Sequence, residues 1–284
     1  MAQIRYILLF LSCLTWAGCG GDEECPSCPE SAAPPPAWID GEIKLYFGQT
    51  QLDLDIFQHG GAYLTIDSVK VGDSACPVDT GYWWNESDPH WDVEFDESGD
   101  DYMYHSGNRA TVTVYGNGSS STCRLVVLDE RDDDLSWIAP DLGASFAPGE
   151  DITCVWHKLA PAEWYGIELK IRRTQEGGFY WENSYYFTFD TSYTLTAKML
   201  GDSIDYFYVY VLPTTGPDPT SSSGNWTGDL AEGKLYSCGR YGYTRVYIRA
   251  TGESKPFPIS APQEIISAPY DPHRAIQAIY KAYR

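Results

Sequence analysis

From Trp38 onward, apolar and polar residues alternate with a period of two, the repeat of a β-strand with one buried face. Residues 43–47 (IKLYF) and 52–56 (LDLDI) read as strands, as do 63–66, 91–95, 110–114 and 124–128. Turn clusters such as Gly116-Asn117-Gly118-Ser119 separate them. Six or seven short strands with one apolar face predict a β-sandwich over residues 38–130. A second set, 165–171, 193–197, 206–211 and 244–248, predicts another over 135–251, and 179–187 reads as a hairpin within it. The helical period surfaces only near the end. After Pro272-His273-Arg274, the residues Ile276, Ile279, Tyr280 and Tyr283 share one helical face beside Arg274, Lys281 and Arg284. That stretch is either a short helix packed on the second module or a basic docking tail. The expected fold class is all-β. Two tandem sandwiches are joined by an acidic linker, 131–134, and followed by a C-terminal extension, 252–284, with its short helix.

The second module opens on Ser136-Trp137-Ile138-Ala139-Pro140. It continues through Phe146-Ala147-Pro148-Gly149-Glu150 to Ile152-Thr153-Cys154-Val155-Trp156. A Pro-Gly-Glu turn feeding a strand that ends at a tryptophan resembles bacterial immunoglobulin-like or fibronectin type III-like domains. The resemblance covers about 115 residues and breaks at a long insert, 213–242, which holds Cys238. It implies a sandwich with a bias toward binding or spacing roles, although such folds host many unrelated functions.

The first eighteen residues carry an address. Arg5 precedes an apolar run from Ile7 to Trp16, and small residues Ala17 and Gly18 follow, as in a signal peptide. The run is about half the ~20 residues that a spanning helix needs. Ala17-Gly18-Cys19 resembles the lipobox of bacterial lipoproteins, with Trp16 where an aliphatic residue is usual. The resemblance implies acylation of Cys19, a lipid bilayer as partner, and an exported, membrane-anchored product. That product sits on the outer membrane, on its periplasmic side or at the cell surface. Residues 19–37, rich in proline, glycine and acidic side chains, then form a tether.

Charge narrows the partners. The chain carries a net charge of -21, yet residues 240–284 hold seven basic and three acidic side chains. The main body is therefore strongly acidic, which argues against nucleic acid, a polyanion. Beyond Cys13 and Cys19, six cysteines remain and allow 15 pairings. Proximity within modules makes Cys76–Cys123 and Cys154–Cys238 the simplest long-range set, leaving Cys25–Cys28 in the tether. That last pair lacks the strand and helix of a redox motif and has no second pair for zinc.

Candidate sites are few. Asp129, Glu130, Asp132, Asp133 and Asp134 cluster at the module junction, where calcium would find hard oxygen ligands. A solvated acidic linker is the alternative, and no other cofactor is expected. Trp83, Trp84 and Trp91, and separately Trp181 and Tyr185, form aromatic clusters. They are either platforms on which sugar rings stack or ordinary cross-strand pairs. The five histidines lack zinc-protease spacing, and no Gly-x-Ser-x-Gly elbow occurs. The expected function is a non-enzymatic binding, adhesion or spacer role toward a glycan or an envelope or surface protein. A carbohydrate-binding protein is the first alternative and an envelope polysaccharide hydrolase the second.

Overall fold

Alternation writes the first sheet directly. Ile39, Ile43 and Leu45 of β1 (Ala37–Tyr46) and Leu52, Leu54 and Ile56 of β2 (Gln49–Gln58) are buried. The residues between them are Asp40, Glu42, Lys44, Asp53 and Asp55. The computed structural model describes residues 37–46, 49–58, 65–76, 90–96, 104–129, 135–202, 204–249 and 272–283. Three further strands are β3 (Ile66–Val71), β4 (Ser74–Cys76) and β5 (His90–Asp96). A hairpin then joins β6 (Arg109–Gly116) to β7 (Ser119–Val126). Its loop is Asn117-Gly118, with φ of 49° and 75°, the left-handed pair that a two-residue hairpin turn demands.

The second module contributes β8 (Trp137–Ala139), β9 (Ser145–Phe146), β10 (Ile152–Trp156), β11 (Trp164–Gln175), β12 (Gly178–Thr188) and β13 (Ser192–Leu195). A single-turn helix, α1 (Ala197–Leu200), leads into β14 (Ile204–Thr215). Then come β15 (Trp226–Gly228), β16 (Ala231–Cys238), β17 (Gly242–Ile248) and the terminal helix α2 (Pro272–Ala282). The stretch expected as a hairpin at 179–187 is instead one long strand, β12. Its turn lies earlier, at Glu176-Gly177, and every residue from Phe179 onward pairs with β11.

Strands β13, β10 and β8 form one sheet of this module. Strands β12, β11, β14 and β17 form the other, and β9 crosses over to pair in parallel with β17. This all-β, two-sheet arrangement is immunoglobulin-like. Its core holds Trp156, Tyr165, Ile167, Leu169, Phe207 and Val209. The turn read from sequence is in place: Glu150 accepts the Ala147 N–H at 2.9 Å, and Trp156 at the end of β10 is buried against Tyr165.

The segment read as an insert does something else. Strand β15 pairs with β7, and β16 lies parallel to β1, so Trp226, Leu230, Ala231 and Leu235 join the first core. The far end of β16 also pairs with Thr214 and Thr215 of β14. One sheet of nine strands, among the described residues, therefore runs from β12 to β5. Gly233 makes the join: its φ is +135°, and a Cβ there would lie 1.8 Å from the Ile39 carbonyl oxygen. Helix α2 packs on the outer surface of this sheet. Its Ile276, Ile279 and Tyr280 cover Trp164, Leu212, Tyr236 and Cys238. Gly166 lets the helix approach, since a Cβ there would sit 2.9 Å from Ile276 Cδ1.

The long-range disulfides are corrected by strand order. Cys76, Cys123, Cys154 and Cys238 are free, buried thiols. Cys76 on β4 and Cys123 on β7 stand three strand spacings apart, about 14 Å at ~4.8 Å per strand. A disulfide needs Cα atoms within ~7 Å. Cys154 lies in the core between the second module's sheets, and Cys238 lies under α2 on the opposite side of the long sheet. Burial pushes the Cys76 thiol up to about 11 and the Cys123 and Cys154 thiols up to about 12. They act as small apolar side chains. Cys19, Cys25 and Cys28 lie outside the described residues.

Candidate functional site

The outer surface of β12, β11, β14 and β17 gathers the aromatic and basic residues of the second module. Alternation sends Tyr165, Ile167 and Leu169 of β11 into the core and leaves Glu168, Lys170 and Arg172 on the other side. The ladder then sets these residues in rows. Trp181, Arg172, Tyr206 and Tyr247 form one; Asn183, Lys170, Tyr208 and Arg245 the next; Tyr185, Glu168, Tyr210 and Tyr243 the third.

The rings touch in series. Trp181 lies 5.8 Å from Tyr206 and 6.0 Å from Tyr208; Tyr208 lies 6.1 Å from Tyr210, and Tyr210 5.9 Å from Tyr243. Such offset and edge contacts hold aromatic side chains in fixed orientations. Cations lie across the rings. Lys170 Nζ sits 5.2 Å from the Trp181 ring, and the Arg172 guanidinium 3.9 Å from Phe179 and 5.4 Å from Tyr206. Arg245 and Arg249 each lie 5.3 Å from Tyr247. Two carboxylates share the area: Asp205, which accepts from Arg172 Nη1 at 3.0 Å, and the buried Glu168. Among the described residues, four cations against two carboxylates give this surface a positive balance on a strongly acidic chain.

Burial raises the Tyr208 phenol, and hydrogen bonding and charge from Arg245 pull it partly back. Burial also raises Tyr210, with Tyr208 and Glu168 adding to the effect. Both hydroxyls stay protonated at neutral pH. Trp181 at 38%, Tyr243 at 42% and Phe179 at 47% remain exposed. The surface thus offers ring faces, phenolic hydroxyls and fixed cations, which is the chemistry of binding.

The other end of the sheet carries the opposite charge. Asp40 stands opposite Asp55 across β1 and β2, and Glu42 opposite Asp53. In the β2–β5 ladder, Asp92 stands opposite Asp55 and Glu94 opposite Asp53. Lys44 lies 3.8 Å from Glu42. The buried Lys234 is opposite Asp40, with its ammonium 4.2 Å from the Tyr280 ring of α2.

The aromatic candidates read from sequence divide. Trp181 and Tyr185 lie in the rows described above, whereas Trp91 stands opposite Ile56 at the far end of the sheet. Trp83 and Trp84 are outside the described residues. Of the acidic junction, Asp129 is buried and bridges to Leu45, and Glu130, Asp132, Asp133 and Asp134 are outside the described residues. Among the described residues no group of three or more His, Cys, Asp or Glu side chains is placed to hold a metal. Reading 206–211 as a strand does not by itself bring in the cations that share its tyrosines' rows. Lys170 and Arg172, two apart on a strand, were the available signal.

No family model and no curated protein matches the chain. Similar solved structures include the full Ig1–Ig3 ectodomain of mouse nectin-like molecule 4, at 10% identity. It covers 78% of this chain and 67% of that one, with a TM-score of 0.25. The calcium binding domain CBD12 of CALX1.1 is also 10% identical, covering 75% and 99%, with a TM-score of 0.22. At these scores, the fold assignment rests on the strand topology itself.

Proposed function

We propose that the chain is an exported, lipid-anchored binding protein that holds an immunoglobulin-like module away from a membrane and presents its aromatic, cationic sheet surface to a partner. The supporting observation is the unbroken series of rings from Trp181 to Tyr243, with four cations laid over its members and neighbours. Such a surface on paired strands is preorganised, so little ordering entropy opposes binding. Acylation of Cys19 supplies the anchor, since each buried methylene contributes about 0.8 kcal/mol. The role is binding or adhesion rather than catalysis.

Two measurements test this. Labelled fatty acid incorporated by the native host should appear in the full chain and vanish in Cys19→Ala; equal labelling of both removes the anchor. Fluorescent full-length protein should bind whole cells or envelope fragments from that host, and Trp181→Ala should reduce the signal about fivefold. Undiminished binding by that variant rejects this surface as the contact.

A further inference from the structure

Nearly every side chain on the open rows is a ring, a cation or an amide. The aliphatic Leu212 of β14 lies on the same side but under α2. Protein interfaces concentrate their affinity in fully desolvated apolar centres filled by anchors from the partner. Here each of these four cations is already laid against a ring, and Tyr208, Tyr210 and Tyr247 are close to fully buried by their neighbours. What remains outward is broad and shallow: edges and faces of Trp181, Phe179 and Tyr243, with positive charge between them. A pyranose ring has the complementary form, an apolar C–H face with a rim of hydroxyls that phenols and amides can bond. The excess of cations on a chain of net charge -21 requires the sugar to carry negative charge as well.

We infer that the outer surface of β12, β11, β14 and β17 binds an acidic polysaccharide. Sugar rings stack on Trp181 and Tyr243, and carboxylate or sulfate groups meet Lys170, Arg172, Arg245 and Arg249. The inference rests on the binding role proposed above and gives its ligand class. An extended polymer suits the surface because the ring series runs across three strands in register, and successive sugars meet successive rows. Repulsion between the polymer and the carboxylates of the β1–β2 end keeps it on the aromatic end. Uronate and sulfate polymers share the needed chemistry, and the test separates them.

The experiment is calorimetry of the full chain, purified in detergent, against polygalacturonate, a sulfated glycosaminoglycan, neutral dextran and poly-L-glutamate. Saturable heat is expected with one or both acidic polysaccharides and not with dextran or poly-L-glutamate. Affinity should fall at least tenfold between 50 mM and 500 mM salt, because exposed charges are screened over a few ångströms at the higher value. Trp181→Ala and Lys170→Gln should each weaken binding five- to tenfold while circular dichroism stays unchanged. Equal binding of dextran would overturn the requirement for charge. Equal binding of poly-L-glutamate would overturn the requirement for sugar rings. If no polymer binds but Trp181-dependent binding to cells persists, the ligand is a protein: this inference fails and the binding role stands.

Discussion

The two ends of the nine-stranded sheet share a backbone and differ in how they handle charge. On β11 and β17 Lys170, Arg172 and Arg245 each lie over a ring, and a tyrosine of β14 stands opposite each of them. On β1 and β2 carboxylate faces carboxylate, Asp40 to Asp55 and Glu42 to Asp53. Like charges directly opposite across a ladder destabilise it by roughly 0.2–1 kcal/mol per pair. The first arrangement is self-consistent; the second is tolerated because apolar burial on its other side and the nearby Lys44 and Lys234 offset it. Local electrostatics therefore do not decide which strands pair. The buried side does, and the outer side is left to carry whatever the surface needs.

The two ends meet at β16, which pairs with β1 on one side and β14 on the other. Gly233→Val places a side chain against the Ile39 carbonyl in a left-handed conformation, and should cost more than about 3 kcal/mol. Urea denaturation should show the first sandwich lost at lower denaturant than the second; a single unshifted transition would mean that β16 is dispensable. Removing the ring that covers the buried ammonium, Tyr280→Ala, should cost about 3 kcal/mol through the cavity and the exposed Lys234 charge.

Alkaline pH should weaken both ends together, because each core holds a buried thiol. The folded values, about 12 for Cys123 and Cys154, lie above the ordinary 9.0. Stability from this source is complete below pH 9 and is lost as pH rises toward 12, since the unfolded thiols ionise first. Each thiol should contribute about 1 kcal/mol of loss by pH 10. A melting temperature that stays flat from pH 8 to 11 would contradict it. The smallest change sharpens the contrast: Asp53→Asn should stabilise by about 0.5 kcal/mol by relieving its repulsion with Glu42. Trp181→Ala, by comparison, should shift stability by less than about 1 kcal/mol, because its ring is only partly covered.

Much of this fold is legible in the alternation of single strands. The pattern LDLDI at 52–56 gives β2 and its buried side, and the Asn117-Gly118 turn gives the β6–β7 hairpin. What alternation cannot give is which strand lies beside which. The segment 226–238 reads as an insert because its partner, β1, is nearly two hundred residues earlier. The cysteine pairing failed for the same reason: chain proximity puts Cys76 near Cys123, and sheet order separates them by two intervening strands. The binding surface was half visible. Tyrosines alternate within β14, but their company of Lys170, Trp181 and Arg245 comes from three other strands.

The parallel pairing of β1 with β16 also sets a clock on assembly. The Lys234 N–H donates to Asp40 Oδ1 across a separation of 194 residues. At a synthesis rate of about 5–20 residues per second, β1 waits roughly 10–40 s for that neighbour to be made. During the wait its edge is open and flanked by the apolar Ile39, Ile43 and Leu45, the kind of template on which strands of other chains add. The acidic residues interleaved along β1 and β2 then have a second use. They give nascent copies a common charge and hold them apart until residue 238 has emerged and the edge is closed.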